Sequence, residues 1–229
     1  MGFIINDIEK RWPGGKIPFE ISDMDSPKYG MGRQVIEDAI EQWNSKSDIP
    51  LVPRDNENDY VTFKSGKKSE SHVGRKKGMQ IISCDIDLKN NKFGDVLHEI
   101  GHACGLFHEH QRPDRGSFVN VMSNDPRDYA IIPNGTKIDN YNCCSIMHYP
   151  GIPGKISNLN CTTIGQNALL SQEDLDAIQV MYPIVYITTS ADTSDYGTAL
   201  VSNQNDLFMR TNSTIANHHF LELYIIFKS

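Results

Sequence analysis

Four of the chain's eight histidines fall within "HEIGHACGLFHEH", residues 98 to 110. His98 and His102 are four residues apart. On a helix that spacing raises both imidazoles from one face, where they can converge on one ion. Glu99 sits about 100° round the helix from His98, near enough to the open side of such an ion to act on a bound water without being a ligand. HExxH alone also fits a surface helix with two unrelated histidines. The next six residues separate the two readings: Gly105 can reverse the chain, and His108, six residues after His102, can return to the same ion as a third nitrogen ligand. Three neutral imidazoles suit Zn²⁺, and a three-ligand site keeps a position for water, as catalytic zinc requires. One Zn²⁺ per chain is therefore expected on His98, His102 and His108. His110 is expected at the surface or behind the ligands. Cys104 lies roughly 200° round the helix from His102 and should point away from the ion.

Positioning these groups needs a helix beneath them and something apolar for it to pack on. Phe93 through "GDVLHEIGHACG" reads as that helix, closed at Gly105, a residue type that tolerates left-handed backbone. Met31 to Ser47 sets Val35, Ile36, Ala39, Ile40 and Trp43 at helical spacing with acids on the other side, an amphipathic helix. "KIPFEI" (16 to 21), "DYVTFK" (59 to 64) and "GMQIISC" (78 to 84) are rich in β-formers and flanked by Gly, Pro, Asn or Lys, which predicts strands. In "SQEDLDAIQVMYP" (171 to 183), Ser171 and Asp174 resemble a capping box and Pro183 stops the last helix. Residues 184 to 229 alternate short apolar and polar stretches. The expected organisation is a main domain over 1 to 183 and a small β-rich appendage over 184 to 229.

A chain of 229 residues fits one main domain with an appendage. Its formal charge of −7 repels phosphate backbones, and the one basic cluster, "KSGKKSESHVGRKKG" (64 to 78), lacks interleaved aromatics. That cluster is expected as a solvated hairpin, with a substrate-facing edge as the alternative, and no nucleic-acid partner is expected. No run approaches the roughly 18 apolar residues of a membrane span. "MGFIINDIEKRW" has neither the apolar core nor the cleavage site of a signal peptide.

"HEIGHACGLFHEHQRPDR" fits HExxHxxGxxH followed by E-x-x-R-x-D-R, and "SIMHY" (145 to 149) lies downstream. The pair resembles the zinc helix and Met-turn of the astacin family of metzincin proteases, in a bacterial-like member. "WPGGKIPFEI", "AIEQW", "DYVTF", "HVGRKKGMQ" and "TIGQNALLSQEDLDAIQVMYP" extend the resemblance over roughly residues 10 to 183. It implies an α+β fold of two lobes, with a twisted sheet and helices in the N-terminal lobe and an irregular C-terminal lobe. It implies a zinc endopeptidase acting on extended protein or peptide substrates through a metal-activated water. Glu99 would be the general base, Met147 an apolar floor under the metal, and Tyr149 a fifth ligand able to swing away and steady the transition state. Glu109 resembles the residue that pairs with the amino terminus freed by propeptide removal; a surface glutamate is the plainer reading. A monomer is expected.

The departures carry information too. The family's usual upstream cysteines are missing from "SDIPLV" (47 to 52) and "SESHVGR" (69 to 75), and the five cysteines present are 84, 104, 143, 144 and 161. Loss of customary bridges suits a protein exported or delivered from a bacterial cell into a reducing, cytosol-like space. A local bridge from Cys143 or Cys144 to Cys161 is the competing expectation. Asn167 stands where many members have arginine, which removes the expected preference for an acidic residue after the scissile bond. The rival to the enzyme is a non-catalytic or latent zinc-binding module, with the segment before residue 10 across the cleft in the latent form.

Overall fold

A computed structural model of the chain describes residues 2–22, 30–85, 93–165, 168–188, 196–203 and 206–210. In chain order the elements are β1 (Gly2–Ile5), β2 (Ile17–Ile21), α1 (Gly30–Lys46), β3 (Leu51–Pro53), β4 (Tyr60–Ser65), β5 (Met79–Cys84), α2 (Phe93–Cys104), β6 (Val119–Val121), β7 (Gly135–Ile138), β8 (Ile156–Asn158), α3 (Gln172–Met181), β9 (Ile184–Thr188), β10 (Tyr196–Asn203) and β11 (Asp206–Arg210).

The three strands expected in the first half form, joined by β3, in one parallel sheet of order β3-β2-β4-β5. A parallel pair needs a crossover, and α1 supplies the one between β2 and β3. Its apolar stripe is buried as the periodicity predicts, with Ile36, Ala39 and Trp43 fully enclosed and packed with Ile17, Leu51, Val61, Phe63 and Ile82. The Trp43 indole donates to Ile49 O at 2.8 Å, so its one polar group is satisfied inside the core. α2 packs on α1 and β5, in the same core.

The C-terminal lobe is built differently. Two short antiparallel pairs, β1 with β7 and β6 with β8, replace a continuous sheet. A second apolar cluster of Val119, Tyr129, Tyr141, Ile156, Cys161 and Ile164 fills the space between loops. A Cys143–Cys161 disulfide staples it, while Cys84, Cys104 and Cys144 are free. The local bridge is thus present, with Cys143 rather than Cys144 as partner. α3 begins with the reciprocal Ser171–Asp174 capping box expected from sequence. β9, β10 and β11 form a separate antiparallel sheet of order β11-β10-β9.

Two expectations gain detail. Lys67, Lys68, Lys76 and Lys77 of the 64 to 78 cluster are exposed, as a solvated hairpin requires, but its backbone lies along the sheet: Glu70 bridges Ser83 antiparallel on the outer side of β5, Gly74 N donates to His102 O, and Arg75 is paired with Asp59. Its backbone is consumed by the sheet edge and the end of α2, which a charge count cannot show. The residues before Lys10 also have a fixed place. β1 pairs with β7, Ile5 N donates to Gly105 O, and Phe107 N donates to Phe3 O, so Phe3 and Ile4 are buried in the fold. The latent reading loses its blocking segment at residues 2 to 5.

Candidate metal centre

The end of α2 determines where the third histidine can be. A helix leaves its last four carbonyls without intrahelical partners. Here all four are taken: Gly101 O by Leu106 N, His102 O by Gly74 N, Ala103 O by the Trp12 indole at 2.8 Å, and Cys104 O by the Tyr182 hydroxyl at 2.9 Å. Gly105 then turns the chain with φ +125°, outside the range a side chain easily accepts. His108 returns to α2, and the three ring nitrogens meet: His98 Nε2 is 3.1 Å and His102 Nε2 3.0 Å from His108 Nε2.

The far side of each ring explains why. His98 Nδ1 lies 2.7 Å from Ile146 O, His102 Nδ1 2.8 Å from Leu106 O, and His108 Nδ1 3.0 Å from Gln111 Oε1. With Nδ1 donating outward, each Nε2 presents a lone pair inward. Burial lowers the pKa of all three rings, that of His102 to about 3, so protonation does not relieve the crowding. Three lone pairs facing one another this closely repel unless a cation sits among them. Among the described residues this is the group of His, Cys, Asp and Glu side chains that could hold a metal ion. Three imidazoles at this convergence fit a zinc ion with an open position.

Glu99 is buried, and its Oε2 has no hydrogen-bond partner among the described residues. Burial first, then the charges of Asp95 and Glu70, push its carboxyl up to about 8 against the opposing pull of Lys68. Glu70 and Lys68 therefore act on Glu99 from the outer edge of the sheet.

The Met-turn closes the site from below. Met147 is buried, and a Cβ on Gly101 would come within 2.6 Å of its sulfur, so only glycine between the two helical histidines lets the thioether lie there. Asp174 holds the turn, accepting from Ser145 Oγ at 2.5 Å and Ile146 N at 3.2 Å. The Ile146 carbonyl in turn holds His98. The Tyr149 ring meets that of His108 edge-on at 4.5 Å between centroids and lies tilted against that of His110 at 4.3 Å. Burial raises its hydroxyl pKa, so the phenol stays protonated.

The structure places His98, His102 and His108 in one group, with Tyr149 against His108, Met147 against Gly101 between the helical histidines, and Glu99 beside His98 on α2. Cys104 stands outside the histidine group. His110 lies behind the ligands rather than at the surface, fully buried, its Nε2 2.9 Å from Asp128 O. Glu109 is no surface residue either. It is fully buried, its Oε1 accepts from Arg112 and Asn142 N, and its Oε2 is unpartnered among the described residues. Asn167 lies outside the described residues. Gln111 gives no advance sequence signal, because hydrogen bonds to a carbonyl and a neighbouring ring leave no periodicity, and the capping-box pattern at Asp174 does not announce its second set of bonds, to Ser145 Oγ and Ile146 N.

The family model for the Astacin peptidase family matches residues 4–183. The chain is 34% identical over 190 residues to "Nematocyst expressed protein 6" of Nematostella vectensis, covering 75% of this chain and 64% of that one. It is 30% identical to "Zinc metalloproteinase nas-7" of Caenorhabditis elegans, covering 76% and 48%. The chain thus spans between about half and two thirds of the length of these two relatives. High choriolytic enzyme 1, a hatching enzyme zinc-protease from Oryzias latipes, superposes with a TM-score of 0.63 at 29% identity, over 74% of this chain and 91% of that one. Myroilysin shares the fold, with a TM-score of 0.57 at 22% identity over 80% of this chain and 98% of its own. With a zinc-helix motif, a Met-turn beneath it and a family match over nearly the whole described main body, this chain belongs to the astacin family of metzincin metallopeptidases.

Proposed function

We propose that the chain is a zinc endopeptidase that hydrolyses peptide bonds of extended protein segments. His98, His102 and His108 hold the metal, Glu99 is the general base, and Tyr149 is the mobile fifth ligand. One observation carries the reading: three Nε2 lone pairs converge beside a buried carboxylate oxygen that has no partner among the described residues.

When bound, zinc supplies a Lewis acid and lowers the pKa of its water from about 15.7 towards 7. Glu99 takes the remaining proton from the attacking water on its free oxygen and passes it to the departing amine. The protonated Tyr149 hydroxyl donates to the oxygen on which negative charge develops. The substrate runs along the sheet edge beside Glu70 as an added strand, held by main-chain bonds that ask little of its sequence. Met147 is the apolar floor that keeps the histidine-bearing turn of α2 in place.

Glu109 is assigned as the partner of a processed amino terminus. Its Oε2, unpartnered among the described residues, supports this. Residues 1 to 183 form the catalytic domain and 184 to 229 an appendage. One chain supplies every group of the site, so a monomer suffices.

Casein digestion with and without a chelator tests the activity. Chelator-sensitive cleavage with one zinc per chain is expected; full zinc occupancy with no cleavage would overturn it in favour of a binding module.

The protein is exported or delivered from its cell, and the Cys143–Cys161 bridge would form on an oxidising route. No helix of the described chain is long and apolar enough to cross a membrane. Alkylation of the denatured, unreduced protein should block three thiols, matching the free Cys84, Cys104 and Cys144, and reduction should release the other two. Five blocked without reduction would instead place it in a reducing space.

A further inference from the structure

We infer that Gln111 is a positioning residue for the third histidine: its side-chain amide sets the tautomer of His108 and couples that ring to the 125–132 stretch. The inference rests on the zinc reading above.

Each ring needs an acceptor at Nδ1 if Nε2 is to face a metal. For His98 and His102 the acceptor is a main-chain carbonyl, Ile146 O and Leu106 O, which can do nothing but accept. His108 alone of the three faces a side-chain amide, 3.0 Å from Gln111 Oε1. An amide has a donating and an accepting end, and nothing in the His108 contact decides which it presents. The decision comes from the other end. Gln111 Nε2 lies 3.1 Å from Arg127 O, and a carbonyl can only accept. The NH₂ must therefore point at Arg127, the carbonyl oxygen at His108, the ring hydrogen sits on Nδ1, and the Nε2 lone pair faces inward. Gln111 is buried at 5% exposure, so water does not compete for either end.

The main chain of Gln111 is held as well. Its N–H donates to His108 O, and its carbonyl accepts from Ile132 N at 3.0 Å. Arg127 belongs to a tight turn in which its own N–H donates to Asp125 Oδ1 at 2.9 Å and Tyr129 N donates to Asp125 O. His110 anchors the same turn through Asp128 O. The turn is thus tied to the metal side chiefly through two neighbouring residues: His110 stacks its ring on that of His108, 5.0 Å between centroids, and Gln111 is the one of the two that hydrogen-bonds the His108 ring. Displacing Arg127 would remove the constraint that orients the amide, and with it the lone pair of His108.

Two substitutions separate this role from loop anchoring. Gln111→Met and Gln111→Glu both lose the bond to Arg127 O, so both should lower the melting temperature of the zinc-free chain by similar amounts. Only Gln111→Met loses the acceptor for His108. Zinc dissociation constants, measured by competition with a chromophoric chelator, should rise about 10–100-fold for Gln111→Met. Gln111→Glu should hold zinc as tightly as the natural chain or tighter, because a carboxylate accepts from Nδ1. Gln111→Asn, too short to reach both partners, should side with Met and repeats the comparison if that variant folds poorly. Equal zinc affinity in all chains, or an equal loss in Met and Glu, would overturn the inference while leaving the metal site standing. A natural chain that takes up no zinc would overturn the ligand set itself.

Discussion

Glu99→Gln is expected to lower kcat/KM on casein by about 10²–10⁴-fold, the range a positioned general base contributes, while zinc stays at one per chain. The substitution keeps size and polarity and removes only proton affinity. The environment of Glu99 gives the effect its size. Its carboxyl is enclosed, Asp95 one turn back on α2 repels its charge, and Glu70 on the sheet edge does the same. Those influences hold a proton on Glu99 up to about 8, which would leave a poor base at neutral pH. Ionising it takes a nearby positive charge, and the three-histidine group is where one fits. Base and metal are therefore coupled, and chelation should silence Glu99 as well as remove the electrophile. Glu99→Asp keeps the carboxylate but withdraws it by one methylene, so its rate should fall between the two. Turnover in Glu99→Gln within a few-fold of the natural chain, at equal zinc content, would sink the assignment.

The same groups show what a sequence can carry. His98, His102 and the turn at Gly105 are legible because helical spacing and glycine's freedom are local properties. The capping box at Ser171 is legible for the same reason. The sheet order is only half visible: β2, β4 and β5 announce themselves by β-formers, whereas β3 is three residues long and β1 lies 130 residues or more from its partner β7 in sequence. Buried polar groups are the least visible. Glu109 looks like a surface glutamate until Arg112 and Asn142 are folded against it, and Asp174 reads as a capping residue although it also holds Ser145 and Ile146. Pairings across the fold depend on packing that no local pattern encodes.

Arg112→Met is expected to cost about 3–5 kcal/mol, the usual penalty for removing one partner of a buried ion pair. At about 2–4 °C per kcal/mol for a chain of this size, the melting temperature should fall by roughly 6–20 °C. Arg112 is fully buried and uses all five of its N–H groups: Nε and Nη2 grip Asp114 at 3.0 and 2.9 Å, Nη1 reaches Glu109 Oε1 at 2.9 Å and Asn140 O at 3.0 Å, and Nη2 reaches Asp139 O at 2.9 Å. No lysine can reproduce that fork, so Arg112→Lys should recover only part of the loss. The sign with pH comes from Glu109. Burial already raises its carboxyl from 4.5 to about 7 while Arg112 pulls it down. Without Arg112 the folded-state pKa climbs further above the unfolded value. The share of the variant's deficit that comes from Glu109 is then small near pH 5, where folded Glu109 can keep its proton, and grows as pH rises through neutrality and the unfolded chain alone releases it, on top of the lost bonds to Asp114, Asn140 O and Asp139 O, which count at both pH values. Adding Glu109→Gln removes the stranded charge, and the double variant should regain stability at pH 8 that Arg112→Met lacks, with little difference between them at pH 5. Thermal melts of the three chains at the two pH values decide it: a deficit that does not deepen with pH would mean that lost packing against Tyr141, 5.5 Å from the guanidinium, outweighs the charge of Glu109.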